Sequence, residues 1–113
     1  MDGNMEKRNL EEFIPYTDTL RLLQRFFSHL GCSAGIFDEN GKLKVFDYIT
    51  PFCKLIYSKV PERCEADRRL RFRKALKLRK PFLHRCFAGK LNFVIPLIYK
   101  DNKNVYFLGV AGG

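Results

Sequence analysis

Nowhere in its 113 residues does the chain hold a run approaching the roughly 18 apolar residues that a membrane span requires. The opening stretch, MDGNMEKRNLEEF, has no apolar h-region, so neither export nor insertion is encoded there and a cytoplasmic location is expected. Cysteine pairs two residues apart are missing, which takes away the usual spacing of zinc fingers and ribbons. No G-x-G-x-x-G and no G-x-x-x-x-G-K followed by Ser or Thr occurs, so the common phosphate-cradling loops are excluded. Helix-turn-helix patterns, RNP-type aromatic signatures, internal repeats and low-complexity segments are absent as well. Acidic residues are scarce beside basic ones, 12 against 21, and the resulting charge of +9 would attract anions, nucleic acid among them.

What is present suits one domain. The chain is 46% hydrophobic and 29% charged, an ordinary globular balance with enough apolar material for a single core. Residues 1–15 are polar, carry no sustained apolar face and end at Pro15, so they are expected to form a leader arm. From Thr17 or Asp18 as N-cap, Leu20, Leu23, Phe26, Phe27 and Leu30 recur at helical spacing until Gly31, a natural C′ residue. Strands over 34–38 and 43–47 flank Glu39-Asn40-Gly41-Lys42, where Asn-Gly favours the positive φ angles of a hairpin turn. Thr50-Pro51 caps and opens a short helix, and a longer one runs from near Pro61 to before Pro81. Strands over 82–87, 91–99 and 105–110 follow, with a bend at Ala88-Gly89 and an exposed loop over 101–104. Pro96 cannot donate a ladder hydrogen bond and calls for an edge register or a bulge. The expected architecture is α+β, a five-stranded antiparallel sheet with helices over one face and a ligand-sized cavity between them.

The long helix brings Cys64, Phe72, Ala75, Leu76 and Leu78 onto one face, and Arg68 falls within the same arc. An arginine there either snorkels outward along its stem or points into a pocket and meets a polar group. The many Arg and Lys of this helix read as a solvated face, with nucleic-acid binding as the competing use. Free cysteines in a reduced compartment are commonly small buried hydrophobes. If Cys53, Cys64 and Cys86 converge, three thiolates could instead hold a metal or an iron-sulfur cluster, with His84 as a fourth ligand. That metal is the one cofactor these residues suggest; Cys32 stands apart, just after the first helix. His84 and Cys86 share a strand face, yet no third group orients them as a nucleophilic pair, so no catalysis is expected.

The run Arg85-Cys86-Phe87-Ala88-Gly89-Lys90-Leu91-Asn92-Phe93-Val94-Ile95-Pro96-Leu97 resembles the signature of PocR-type sensory domains, an R-C-H-A-G motif followed by an aromatic and Pro-Ile or Pro-Leu. Pro51-Phe52-Cys53, Arg63-Cys64, Lys80-Pro81 and the closing Leu108-Gly109-Val110-Ala111-Gly112-Gly113 are similar to the family's other landmarks in the same order. The resemblance implies a PAS-like or GAF-like sensory domain over 16–113 that binds small hydrocarbon derivatives such as short diols. It also implies fusion to an output module of AraC-type DNA-binding, histidine-kinase or chemotaxis type, and pairing of copies through the first helix. Ending at Gly112-Gly113 directly after a strand suits an excised sensory piece. The ligand-binding set expected on these grounds is Cys53, Cys64, Arg68, His84, Cys86, Phe93 and Pro96. One departure stands out: Phe87 occupies the place of the family's usual His, which makes the site more apolar.

Overall fold

In the computed structural model, which describes residues 5–29 and 33–113, the last strand is the centre of the fold. The elements in chain order are β1 (Glu6–Lys7), a 3-10 turn (Leu10–Glu12), α1 (Tyr16–His29), β2 (Gly35–Phe37) and β3 (Leu43–Phe46). They continue as α2 (Pro51–Lys59), α3 (Pro61–Leu78), β4 (Phe82–Arg85), β5 (Leu91–Lys100) and β6 (Val105–Gly112). Five strands form the expected sheet in the order β3-β2-β6-β5-β4, antiparallel throughout and open at its ends. The segment read as a leader arm adds a sixth, because β1 pairs parallel with β6, Glu6 opposite Tyr106 and Lys7 opposite Phe107. Behind it Leu10 is buried, and Asn9 and Glu12 close a capping box on the 3-10 turn.

β1 and β2 share one edge of β6 end to end, and Gly109 sits where they meet. Its φ is +137°, and a Cβ there would lie 2.2 Å from the Phe37 carbonyl oxygen. Only glycine lets the backbones approach so closely. The register of β5 against β6 shifts in the same place, between Leu97 and Ile98.

The N-terminal helix and the later helices lie on opposite faces of the sheet. Leu20 and Leu23 of α1 pack with Ile36, Tyr106 and Leu108, whereas Phe72, Ala75 and Leu76 of α3 pack with Val94, Phe107 and Val110 on the opposite side. Phe107 is fully buried, with the Phe72 ring edge-on at 5.6 Å; such a burial contributes roughly 2–3 kcal/mol. Leu78, expected on the buried face of α3, is partly exposed at the helix end.

Local chemistry sets the boundaries. α1 starts at Tyr16, ahead of the expected Thr17 or Asp18 cap, and Phe26, expected inward, is exposed. Leu30, Gly31 and Cys32 lie outside the described residues. In the β2–β3 loop only Gly41 has positive φ (+87°); Asn40 does not, and Asp38 Oδ1 accepts from the backbone N–H groups of Asn40 and Lys42 instead. Thr50 caps α2 as expected, accepting from Cys53 N at 3.2 Å. α3 stops at Arg79, whose φ is +57°, two residues before Pro81. Phe93 exchanges backbone hydrogen bonds with Gly113 on the β6 side, so Pro96, of opposite parity, aims its missing N–H at the other edge. β4 has already ended there, at Phe82 opposite Val94, and the proline forfeits no ladder bond.

Gly109→Ala is expected to lose at least about 3 kcal/mol, from positive-φ strain and backbone overlap together. Thermal melting should show a drop on the order of 10 °C or more; an unchanged midpoint would mean that β2 does not approach β6 as described.

Candidate functional site

α2 and α3 are joined through the single residue Val60, which accepts the first hydrogen bonds of α3 while its own N–H bonds back to Ile56 at 2.9 Å. The two helices therefore diverge as a wedge, with the β4–β5 turn closing its open side. That turn is set by Cys86 N to Lys90 O and Gly89 N to Cys86 O, both 2.9 Å, with Gly89 at φ +90°. Tyr57 Oη donates to Glu65 Oε2 at 2.8 Å across the wedge, and this bond raises the Tyr57 pKa.

Two hollows open here. One of about 360 Å³ lies between α2, α3 and the turn, and Phe52, Ile56, Cys64, Cys86 and Phe87 are among its walls. The other, about 190 Å³, lies against the sheet under Phe37, Leu43, Phe72, Val94 and Val110. Ile49, Cys53, Arg68, Arg71, Lys90 and Asn92 line both, so the hollows meet at these residues. The larger is in the size range of sites for small organic ligands, and its walls are mostly apolar with a few convergent polar groups.

Cys53, Cys64, Arg68 and Cys86 are thus brought together as the sequence suggested. Arg68 turns inward: its Nε is buried without a hydrogen-bond acceptor, and the guanidinium lies 5.6 Å from the centre of the Phe37 ring. His84 sits one layer behind the cavities, with Nε2 3.2 Å from both carboxylate oxygens of Asp67. Phe93 reaches the sheet-side hollow, but its ring packs toward α1, 6.0 Å from that of Phe27. Pro96 lines neither hollow.

Asp67, Arg71, Lys90 and Asn92 went unrecognised from the sequence. Asp67 and Arg71 are four apart on α3, the spacing of an ion pair, and Arg71 Nε lies 3.3 Å from Asp67 Oδ2 without hydrogen-bond alignment. Burial pulls the Arg71 pKa below its ordinary value, and Asp67 opposes that shift. Asn92 shares the inward parity of Val94 and Pro96; its amide is held by the carbonyls of Lys90 and His84, and it accepts from Lys90 Nζ at 3.2 Å. Period-two reading of β5 would have found it.

Burial raises the Cys64 pKa, reinforced by Cys86 and Cys53, so the thiol stays protonated at neutral pH. Among the described residues no group of three or more His, Cys, Asp or Glu side chains is arranged to hold a metal ion, so the thiolate-trio reading gains no support. Phe87 lines the larger hollow and carries the Arg63 guanidinium 4.4 Å above its ring, giving that side an apolar wall. The basic residues Arg63, Arg69, Arg73, Lys74 and Lys77 of α3 are exposed, and Lys74 lies over Phe82, as on a solvated helix face. No described helix is long and apolar enough to cross a membrane.

Comparison with known proteins places the chain in a family. The family model described as the sensory domain found in PocR matches residues 12–109, whereas no curated protein and no solved structure matches. The match takes in α1, both cavity helices and the β4–β5 turn, and the chain belongs to the PocR sensory-domain family.

Proposed function

We propose that this domain senses a small organic molecule, held without chemical change in the hollow between α2, α3 and the β4–β5 turn. The observation that carries the reading is the convergence of Cys53, Cys64, Arg68 and Cys86, from three separate segments, on one cavity of about 360 Å³. α2 is the element suited to respond. It has no buried residue and packs chiefly on α3, so its position is held by few interactions and is open to bias by a guest. β6 would pass that bias on, since Val110 and Gly112 line the sheet-side hollow while β1 rests on the same strand. In this reading the domain works in the bacterial cytoplasm, in signal transduction or transcription regulation, beside an output module of DNA-binding, kinase or chemotaxis type. Two copies pair through α1, where Leu22 and Phe26 are 60% and 57% exposed four residues apart.

A screen of short diols, short acids and aromatic compounds is expected to yield at least one that raises the melting temperature. Occupancy at 100 times Kd adds about 2.7 kcal/mol. Cys53→Phe, which places a ring where the hollows meet, should abolish the shift while leaving the unliganded fold melting normally. No shift from any compound, or a shift that survives Cys53→Phe, would refute the site.

Alkylation of Cys64 by iodoacetamide, followed on its peptide by mass spectrometry, should be slow at neutral pH. Because its pKa is raised, the rate should keep climbing with pH beyond the range of a free thiol, and a compound that stabilises the domain should slow it throughout. Reaction at neutral pH as fast as a free thiol would contradict the burial. For the α1 pairing, Leu22→Glu with Phe26→Glu should convert a dimer to a monomer by light scattering; a wild-type protein that is already monomeric would reject it.

A further inference from the structure

The charges around the two hollows are unbalanced. Lys54, Arg68, Arg71 and Lys90 line the larger one, with Asp67 as the single carboxylate among the described residues. The sheet-side hollow has Arg68, Arg71 and Lys90 and, among the described residues, no Asp or Glu side chain. Asp67 is already engaged, 3.2 Å from His84 Nε2 and 3.3 Å from Arg71 Nε, and so does not neutralise Arg68. Arg68 has the Phe37 ring face as its neighbour, and a ring face attracts the cation without accepting from the N–H groups in the guanidinium plane. Its Nε is buried with no acceptor, an arrangement that is costly unless something else supplies one. Lys90 gives one bond to Asn92 and has further donors to offer.

We infer that the ligand of this site is a small organic acid whose carboxylate is gripped by Arg68 at the junction of the two hollows. The inference rests on the small-molecule reading above and narrows it to a chemical class. A carboxylate matches the planar fork of Arg68, accepting in parallel from N–H groups on its two terminal nitrogens. Lys90 lines both hollows alongside it and adds a second cation. The remainder of the ligand is apolar, because Phe37, Leu43, Phe72 and Val94 line one side of the junction and Phe52 and Phe87 line the other. The larger hollow has room for on the order of ten water-sized groups at about 30 Å³ each, which sets the scale of the acid.

The test uses matched pairs: propanoate to octanoate and benzoate, each beside the primary alcohol of the same skeleton, with inorganic phosphate alone as a further probe. Binding is read by calorimetry and by melting temperature on wild type, Arg68→Gln and Arg68→Lys. At least one carboxylate is expected to bind about tenfold or more tightly than its alcohol, as a charge-assisted pair requires. Arg68→Gln should erase that preference and leave the alcohol's own affinity in place, and Arg68→Lys should keep part of it. Alcohols binding as well as their acids to the wild type would overturn the inference while leaving small-molecule binding intact. Phosphate binding as tightly as the best carboxylate would also overturn it, by showing that the apolar body contributes nothing. If no probe of either series binds the wild type, the acid inference fails, and the sensing reading then rests on the diol and aromatic arms of the broader screen. If Arg68→Gln melts unfolded, the wild-type pairs and Arg68→Lys still decide the matter.

Discussion

The Asp67 carboxylate is the tie on which the cavity depends. It lies between His84 on β4 and Arg71 one helical turn further along α3, and it is only about a tenth exposed. Those contacts fix the distance between α3 and the β4 edge of the sheet, which is the distance that leaves a hollow. They also set a carboxylate against the Arg71 guanidinium in a poorly hydrated place, where an unpaired charge would be strongly unfavourable. A hydrophobic pair could hold the same elements together, but would close the gap by packing tightly. A polar tie holds them while leaving room alongside.

Above this fixed floor the roof is loosely held. α3 is anchored by Phe72, Ala75 and Leu76 in the core, whereas α2 reaches α3 through Val60 and the Tyr57–Glu65 hydrogen bond and buries none of its residues. A well-packed wall opposite one with few buried contacts would suit the sensing proposed above, because a guest could gain contacts mainly by settling the less packed side. β6 joins this region to the rest of the molecule. It packs against both helical layers, and Gly109 lets two other strands share one of its edges.

Much of this was legible in the sequence, where local chemistry governs. Thr50-Pro51 fixed the start of α2, Pro81 limited α3, and the alternation through β5 and β6 marked the sheet. The three cysteines and Arg68 came from motif resemblance and helical phase, and they do face one hollow. What escaped was set by tertiary contact. The polar opening segment gives no periodic signal for β1, since its place depends on an edge of β6 left vacant beyond β2. The face chosen by α1 could not be read from its own apolar stripe, which suits either side of a sheet. His84 looked like a ligand group because a strand pattern shows its face but not its depth, and Asp67 fills the space in front of it. Arg71 and Lys90 were hidden among many cations, most of which are simply solvated.

The most direct test of the account is crystallographic: a crystal of this domain soaked with 4-bromobenzoate, whose aryl bromide resists displacement, with bromine located by its anomalous signal. The account predicts a bromine peak between α2, α3 and the β4–β5 turn, with carboxylate density beside Arg68. A fully occupied peak elsewhere, or none together with Cys53, Cys64 and Cys86 separated by a tightly filled interior, would contradict it.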